Sequence, residues 1–188
     1  TRMFVPRERQ ADVVRYAKDA AETFRVGPAD APGTTLGPVV SKVQYDKIQD
    51  LIESGVAEGA TLVTGGPGLP ADLNRGYFVK PTVFADVTPE MRIAREEIFG
   101  PVLSILPYDS VEQAIERAND TNYGLASYIQ TRDIAKAREA SRRMRSGNVY
   151  INYPAWDAGL PFGGYKQSGN GREYAEYGLE EFLEIKGI

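Results

Sequence analysis

Apolar positions along this chain switch repeatedly between the spacing of a helix and that of a strand. Residues 7–24 place Val13, Ala17, Ala20 and Phe24 at helical spacing, and the pattern runs out at Gly27. Residues 27–40, rich in Pro, Gly, Asp and Thr, read as a loop. Ser41 with Gln44 forms a capping-box pattern, and the helix behind it carries Tyr45, Ile48, Ile52 and Val56. Residues 61–64 read as a strand stopped by Gly65-Gly66, and 77–85 as an apolar run interrupted by Pro81. Thr88-Pro89 signals a helix start, and 102–106 a short buried strand. Ser110 with Gln113 opens a further helix through Val111, Ala114, Ile115 and Ala118. A strand at 125–129 leads into a helix bearing Ile134, Ala137, Ala140 and Met144, closed near Gly147. Residues 149–151 form a last core strand, and 1–6 read like the interior of a strand.

This alternation of strands with helices of ten or more residues predicts an α/β fold with a largely parallel sheet. No internal repeat or low-complexity tract interrupts it. Residues 179–188 read as a tail strand with few neighbours of its own, so its partner is expected outside this chain.

Composition narrows the chemistry more than the fold. A chain of 188 residues with 42% hydrophobic content is long enough to bury a core. The net charge of −4, with the charges interspersed, argues against a nucleic-acid surface. No run of about 18 apolar residues exists to span a membrane. There is no cysteine and no histidine. Disulfides, thiolate metal sites and thiol catalysis are therefore excluded within these residues, and no serine has a histidine to activate it. Acid–base work would fall to carboxylates, Lys or Tyr.

Two short runs carry candidate chemistry. Glu96-Glu97-Ile98-Phe99-Gly100-Pro101 has a plain structural reading as a helix end running into a strand. It also sets a carboxylate and an aromatic ring two residues apart, on one side if the backbone is extended. A carboxylate accepts both hydroxyls of a ribose, and a ring packs on a flat heterocycle. The second run is Pro161-Phe162-Gly163-Gly164-Tyr165-Lys166-Gln167-Ser168-Gly169. It lacks the Gly-Lys-Ser order of a phosphate loop. In Gly169-Asn170-Gly171, Tyr174 stands where a dinucleotide fingerprint needs its third glycine. Close backbone approach around a pocket suits these glycines better, with Phe162 and Trp156 as lining aromatics.

Taken in order, these segments resemble the C-terminal part of the NAD(P)-dependent aldehyde dehydrogenase family. Gly76-Tyr77-Phe78, Lys80-Pro81-Thr82-Val83-Phe84, the Glu-Glu-Ile-Phe-Gly-Pro-Val run and Asn119 with Asn122-Tyr123-Gly124-Leu125 all match. Gly147-Asn148-Val149-Tyr150-Ile151-Asn152, the Pro-Phe-Gly-Gly-Tyr-Lys-Gln-Ser-Gly run and Gly171-Arg172-Glu173 follow in family order.

The resemblance implies a three-layer α/β/α catalytic domain over residues 1–178, with 179–188 as an inter-domain or oligomer contact. It implies that Glu97 binds the nicotinamide ribose of NAD or NADP, that Phe99 lies beside the nicotinamide, and that Phe162 lines the aldehyde pocket. Trp156 and Asp157 fall on the substrate-entrance loop. Family members oxidise an aldehyde to a carboxylic acid through a cysteine thioester, and they are homo-oligomers. The cysteine, in a Gly-Gln-x-Cys stretch, is expected just before Thr1, and the general-base glutamate and the cofactor-binding domain are expected upstream with it. No metal is implied. A cytoplasmic enzyme is expected, of which this chain alone would be inactive. The competing expectation is a non-catalytic interaction or scaffold module that keeps the aldehyde dehydrogenase fold.

Overall fold

The computed structural model describes residues 1–188, which divide into two compact units, 1–111 and 112–188. In the first unit, β1 (Arg2–Pro6), β2 (Thr61–Thr64), β3 (Thr82–Ala85) and β4 (Val102–Tyr108) form one sheet in the order β1-β4-β3-β2. β1 and β3 run parallel to β4, and β2 closes one edge antiparallel to β3.

The central strand explains the layering. Successive residues of β4 point to opposite faces, and both faces are apolar, as a sandwiched parallel strand requires. Leu103 and Ile105 pack with Val5 and Val83 against Val13, Val14 and Ala17 of α1 (Gln10–Glu22). Val102 and Leu106 join Phe84 against Ile48, Leu51 and Ile52 of α2 (Lys42–Ala57). This unit is therefore a three-layer α/β/α arrangement with a largely parallel sheet. Between Val102 and Leu106, the buried Ser104 donates its hydroxyl proton to the Ile93 carbonyl at 3.3 Å, which satisfies it.

The helix predicted over 7–24 begins as a 3-10 turn at Arg7–Arg9 and is α-helical only from Gln10. Thr23 ends it by donating its hydroxyl proton back to the Ala20 carbonyl at 2.7 Å. Of the run 77–85 only Thr82–Ala85 joins the sheet, because Pro81 has no N–H to give. The helix signalled at Thr88-Pro89 starts later, as α3 (Arg92–Arg95). Its first N–H, on Arg92, finds the Glu58 carboxylate at 2.8 Å.

α2 keeps half of its predicted capping box. The Ser41 hydroxyl oxygen accepts the Gln44 N–H at 3.2 Å, but the Gln44 side chain turns elsewhere. Ser41→Ala is expected to cost about 1 kcal/mol. That is a drop of roughly 2–8 °C in Tm, read by thermal unfolding, and an unchanged midpoint would show that the cap is idle.

The second unit is built on β5 (Ala126–Ile129), α5 (Ile134–Arg143) and β6 (Asn148–Ile151), a strand–helix–strand unit with its two strands parallel. α4 (Val111–Asn119) starts directly after Ser110. Asp133 caps α5, its carboxylate accepting the Lys136 N–H at 3.0 Å. Within the tail, residues 179–182 are helix and turn rather than strand. Leu179 and Glu180 close α6 (Ala175–Glu180), and Leu183 N–H bonds back to the Glu180 carbonyl at 3.2 Å. Turn bonds take the place of a ladder there, and residues 183–188 pair with no strand of this chain.

Candidate active site

In the first unit the Glu96–Pro101 run bridges α3 and β4, and its backbone is held from α2. Lys47 Nζ donates to the Glu97 carbonyl at 2.6 Å. Gln44 Nε2 donates to the carbonyls of both Ile98 and Phe99, each at 3.0 Å. Three consecutive carbonyls are thus fixed by two side chains one helical turn apart. Ile98 plugs the core at 2% exposure, and this turns its two neighbours outward.

The two glutamates of the run have different surroundings. Glu96 is engaged by Arg92, whose Nε lies 2.8 Å from its carboxylate oxygen; Arg92 also reaches Asp50 at 3.1 Å. Hydrogen bonds to Glu96 and then Asp50 raise the Arg92 guanidinium pKa further. Glu97 is anchored by its carbonyl, and its carboxylate is exposed. Phe99 leaves its ring 74% exposed.

The extended geometry expected for 97–99 is corrected at Phe99, whose φ is +57°. An aromatic residue adopts this left-handed conformation only when its surroundings impose it. The Gln44 clamp and the turn into Gly100 supply that constraint. Gln44 and Lys47 carry no local signal of this role: Gln44 fits the capping pattern, and Lys47 looks like an ordinary solvated helix residue.

In the second unit the glycine-rich run is bolted to residues 119–124. Gly124 carbonyl accepts the Tyr165 N–H at 2.8 Å, and Asn122 carbonyl accepts the Gln167 N–H at 3.0 Å. Ser168 Oγ accepts the Gly124 N–H at 2.9 Å, and Lys166 Nζ donates to the Asn119 and Thr121 carbonyls. From β6, Asn148 Nδ2 donates to the Pro161 carbonyl at 2.9 Å. Phe162 is then locked by a two-bond antiparallel bridge with Glu173, at 2.9 and 2.7 Å.

This framework brings Phe162 and Trp156 together through a residue that the sequence pattern does not mark as part of the pocket. The Tyr174 ring meets Trp156 edge-on at 5.4 Å and Phe162 at 6.3 Å. Asp157 stands apart in role: its carboxylate accepts the Gly159 N–H at 2.8 Å and shapes the loop. A cleft of about 720 Å³ opens beside the glycine run, bordered by Phe162, Tyr174, Leu179 and Phe182. No helix is long and apolar enough to cross a membrane.

The first unit thus carries an exposed carboxylate–aromatic run on a largely parallel sheet, and the second a bolted glycine-rich wall. The sequence profile of the Aldehyde dehydrogenase family matches residues 1–188, and the chain belongs to that family. It is 48% identical over 188 residues to a 3-succinoylsemialdehyde-pyridine dehydrogenase of a Pseudomonas species. That match covers all of this chain and 39% of the relative. Among solved structures, an aldehyde dehydrogenase C mutant from Pseudomonas syringae, complexed with NAD+ and octanal, superposes with a TM-score of 0.97. It is 49% identical, and the match covers 100% of this chain and 39% of that one. An aldehyde dehydrogenase from Bartonella henselae gives a TM-score of 0.95 at 55% identity, covering 98% and 39%. The chain thus spans about two fifths of the length of these relatives.

Proposed function

We propose that these residues form the C-terminal part of the catalytic domain of a cytoplasmic, homo-oligomeric enzyme that oxidises an aldehyde to a carboxylic acid with NAD or NADP. The observation that carries this reading is the clamp of the Glu97, Ile98 and Phe99 carbonyls by Lys47 and Gln44. It presents a carboxylate and a ring from a rigid backbone, as positioning of a ribose and its attached heterocycle demands. When bound, the nicotinamide cofactor supplies the hydride acceptor.

Each residue then has a defined task. Glu97 accepts the ribose hydroxyls, which fixes the sugar without consuming a proton. Phe99 gives the heterocycle a flat apolar neighbour and excludes water from one face. Phe162 and Trp156 line the aldehyde pocket, and Asp157 holds the entrance loop through its turn. Aromatic lining suits a medium-chain or aromatic aldehyde. The octanal in the Pseudomonas syringae structure supports that class. The nucleophilic thiol and the water-activating carboxylate belong to upstream segments of the enzyme. The tail 179–188 serves as a contact with another domain or subunit, which fits its exposed Phe182 and Ile185.

Glu97→Gln tests the reading in the enzyme that contains this chain. It removes charge-assisted hydrogen bonds and is expected to raise KM for the cofactor by roughly ten- to a hundredfold, with KM for the aldehyde little changed. Steady-state kinetics with each substrate varied in turn measure this. An unchanged cofactor KM would favour a scaffold role for the run.

A further inference from the structure

We propose that Tyr174 is a specificity-determining residue of the aldehyde pocket, the wall that joins Trp156 and Phe162 into one aromatic surface. The inference rests on the aldehyde-oxidising reading above and names a residue that reading does not include.

The backbone at Tyr174 is the first observation. Its φ is +66° and its ψ 158°, a region occupied almost only by glycine. The next residue, Ala175, also has a positive φ of +55°. Two adjacent non-glycine residues in strained conformations are expensive, and glycine would relieve the first at once. Tyr174 caps α6 through its backbone alone: its carbonyl accepts the Gly178 N–H at 2.9 Å, and its side chain makes no capping hydrogen bond, which leaves the ring free for other contacts. The same conformation carries the ring to Trp156 and Phe162.

The ring contacts are the second observation. Tyr174 meets Trp156 at 5.4 Å with an interplanar angle of 83°, the edge-to-face geometry that aromatic pairs favour. It meets Phe162 at 6.3 Å with an angle of 57°. Trp156 lies on an irregular loop with 64% of its surface exposed, so it has little else to fix its ring. Phe162 is held rigidly by the bridge to Glu173, which immediately precedes Tyr174. Tyr174 thus transmits the rigidity of the glycine-rich wall to a loosely held tryptophan. An aldehyde with a long or aromatic tail would use that surface, and a two- or three-carbon aldehyde would not reach it.

The test uses Tyr174→Gly and Tyr174→Phe in the enzyme that contains this chain. Glycine removes the ring while accepting the backbone conformation, so folding is not compromised; phenylalanine keeps the edge contact. Tyr174→Gly is expected to lower kcat/KM for hexanal and benzaldehyde by about tenfold, mainly through KM, and to leave propanal unchanged. Tyr174→Phe should restore the wild-type profile, and the Tm of Tyr174→Gly should not fall. In residues 1–188, where Trp156 is the sole tryptophan, Tyr174→Gly should shift its emission to the red. Equal losses for all aldehydes, or an unchanged hexanal-to-propanal ratio with an active wild type, overturn the role of Tyr174 alone. A wild-type enzyme that oxidises no aldehyde overturns the functional reading and this inference together.

Discussion

Residues 1–188 by themselves are expected to reduce no NAD+ or NADP+ when mixed with an aldehyde, and joining them to an upstream segment with its Gly-Gln-x-Cys stretch is expected to switch the reaction on. The physical ground is the side-chain inventory. Thioester chemistry needs a thiolate, and this chain has neither a cysteine to supply one nor a histidine to generate one. Positioning alone does not replace a missing nucleophile. The gain on joining should therefore be on the order of a millionfold, at the lower end of typical enzymatic accelerations.

Formation of NADH followed by absorbance checks the prediction, with a cysteine-to-alanine variant of the joined enzyme as control. Aldehyde-dependent turnover by residues 1–188 alone would refute it.

Gly147→Ala is expected to be the most damaging small substitution in the second unit, costing at least about 3 kcal/mol. A β-carbon built at Gly147 would coincide with the carbonyl oxygen of Gly163. The obstacle is backbone, so no rotamer change relieves it. The start of β6 and the Pro-Phe-Gly-Gly run would have to separate, breaking the bond from Asn148 Nδ2 to the Pro161 carbonyl. Phe162 would move with its backbone, so the aldehyde KM should rise along with the loss of stability. Thermal unfolding reads the first effect and aldehyde kinetics the second. A variant with wild-type Tm and wild-type aldehyde KM would show that the two segments are not in the close contact described.

Several elements are legible in the order of residues alone. The periods of α2 and β4 are strong because each buries regularly spaced apolar positions, and the boundaries at Ser41 and Gly65 follow from a cap and a turn. Other boundaries lie a few residues away from their sequence pattern where side chains compete for backbone groups, as at Thr23, or where Pro81 withholds a donor. The start of the tail shows the limit of local reading: Leu179 and Phe182 fit a strand pattern, yet turn bonds after Leu179 close a helix there.

Residue type and order alone carried the family, the α/β layering and the identity of Glu97, Phe99, Phe162 and Trp156 as candidate chemistry. None of these needs a long-range contact to be seen, because local periodicity and motif order express them directly. Three-dimensional packing was required to show that Gln44 and Lys47 clamp the run, that Phe99 sits at a positive φ, and that Tyr174 joins Trp156 to Phe162. Each of these is a contact across many positions of chain or a strained φ. Packing enforces such features from a distance, and no local pattern records them.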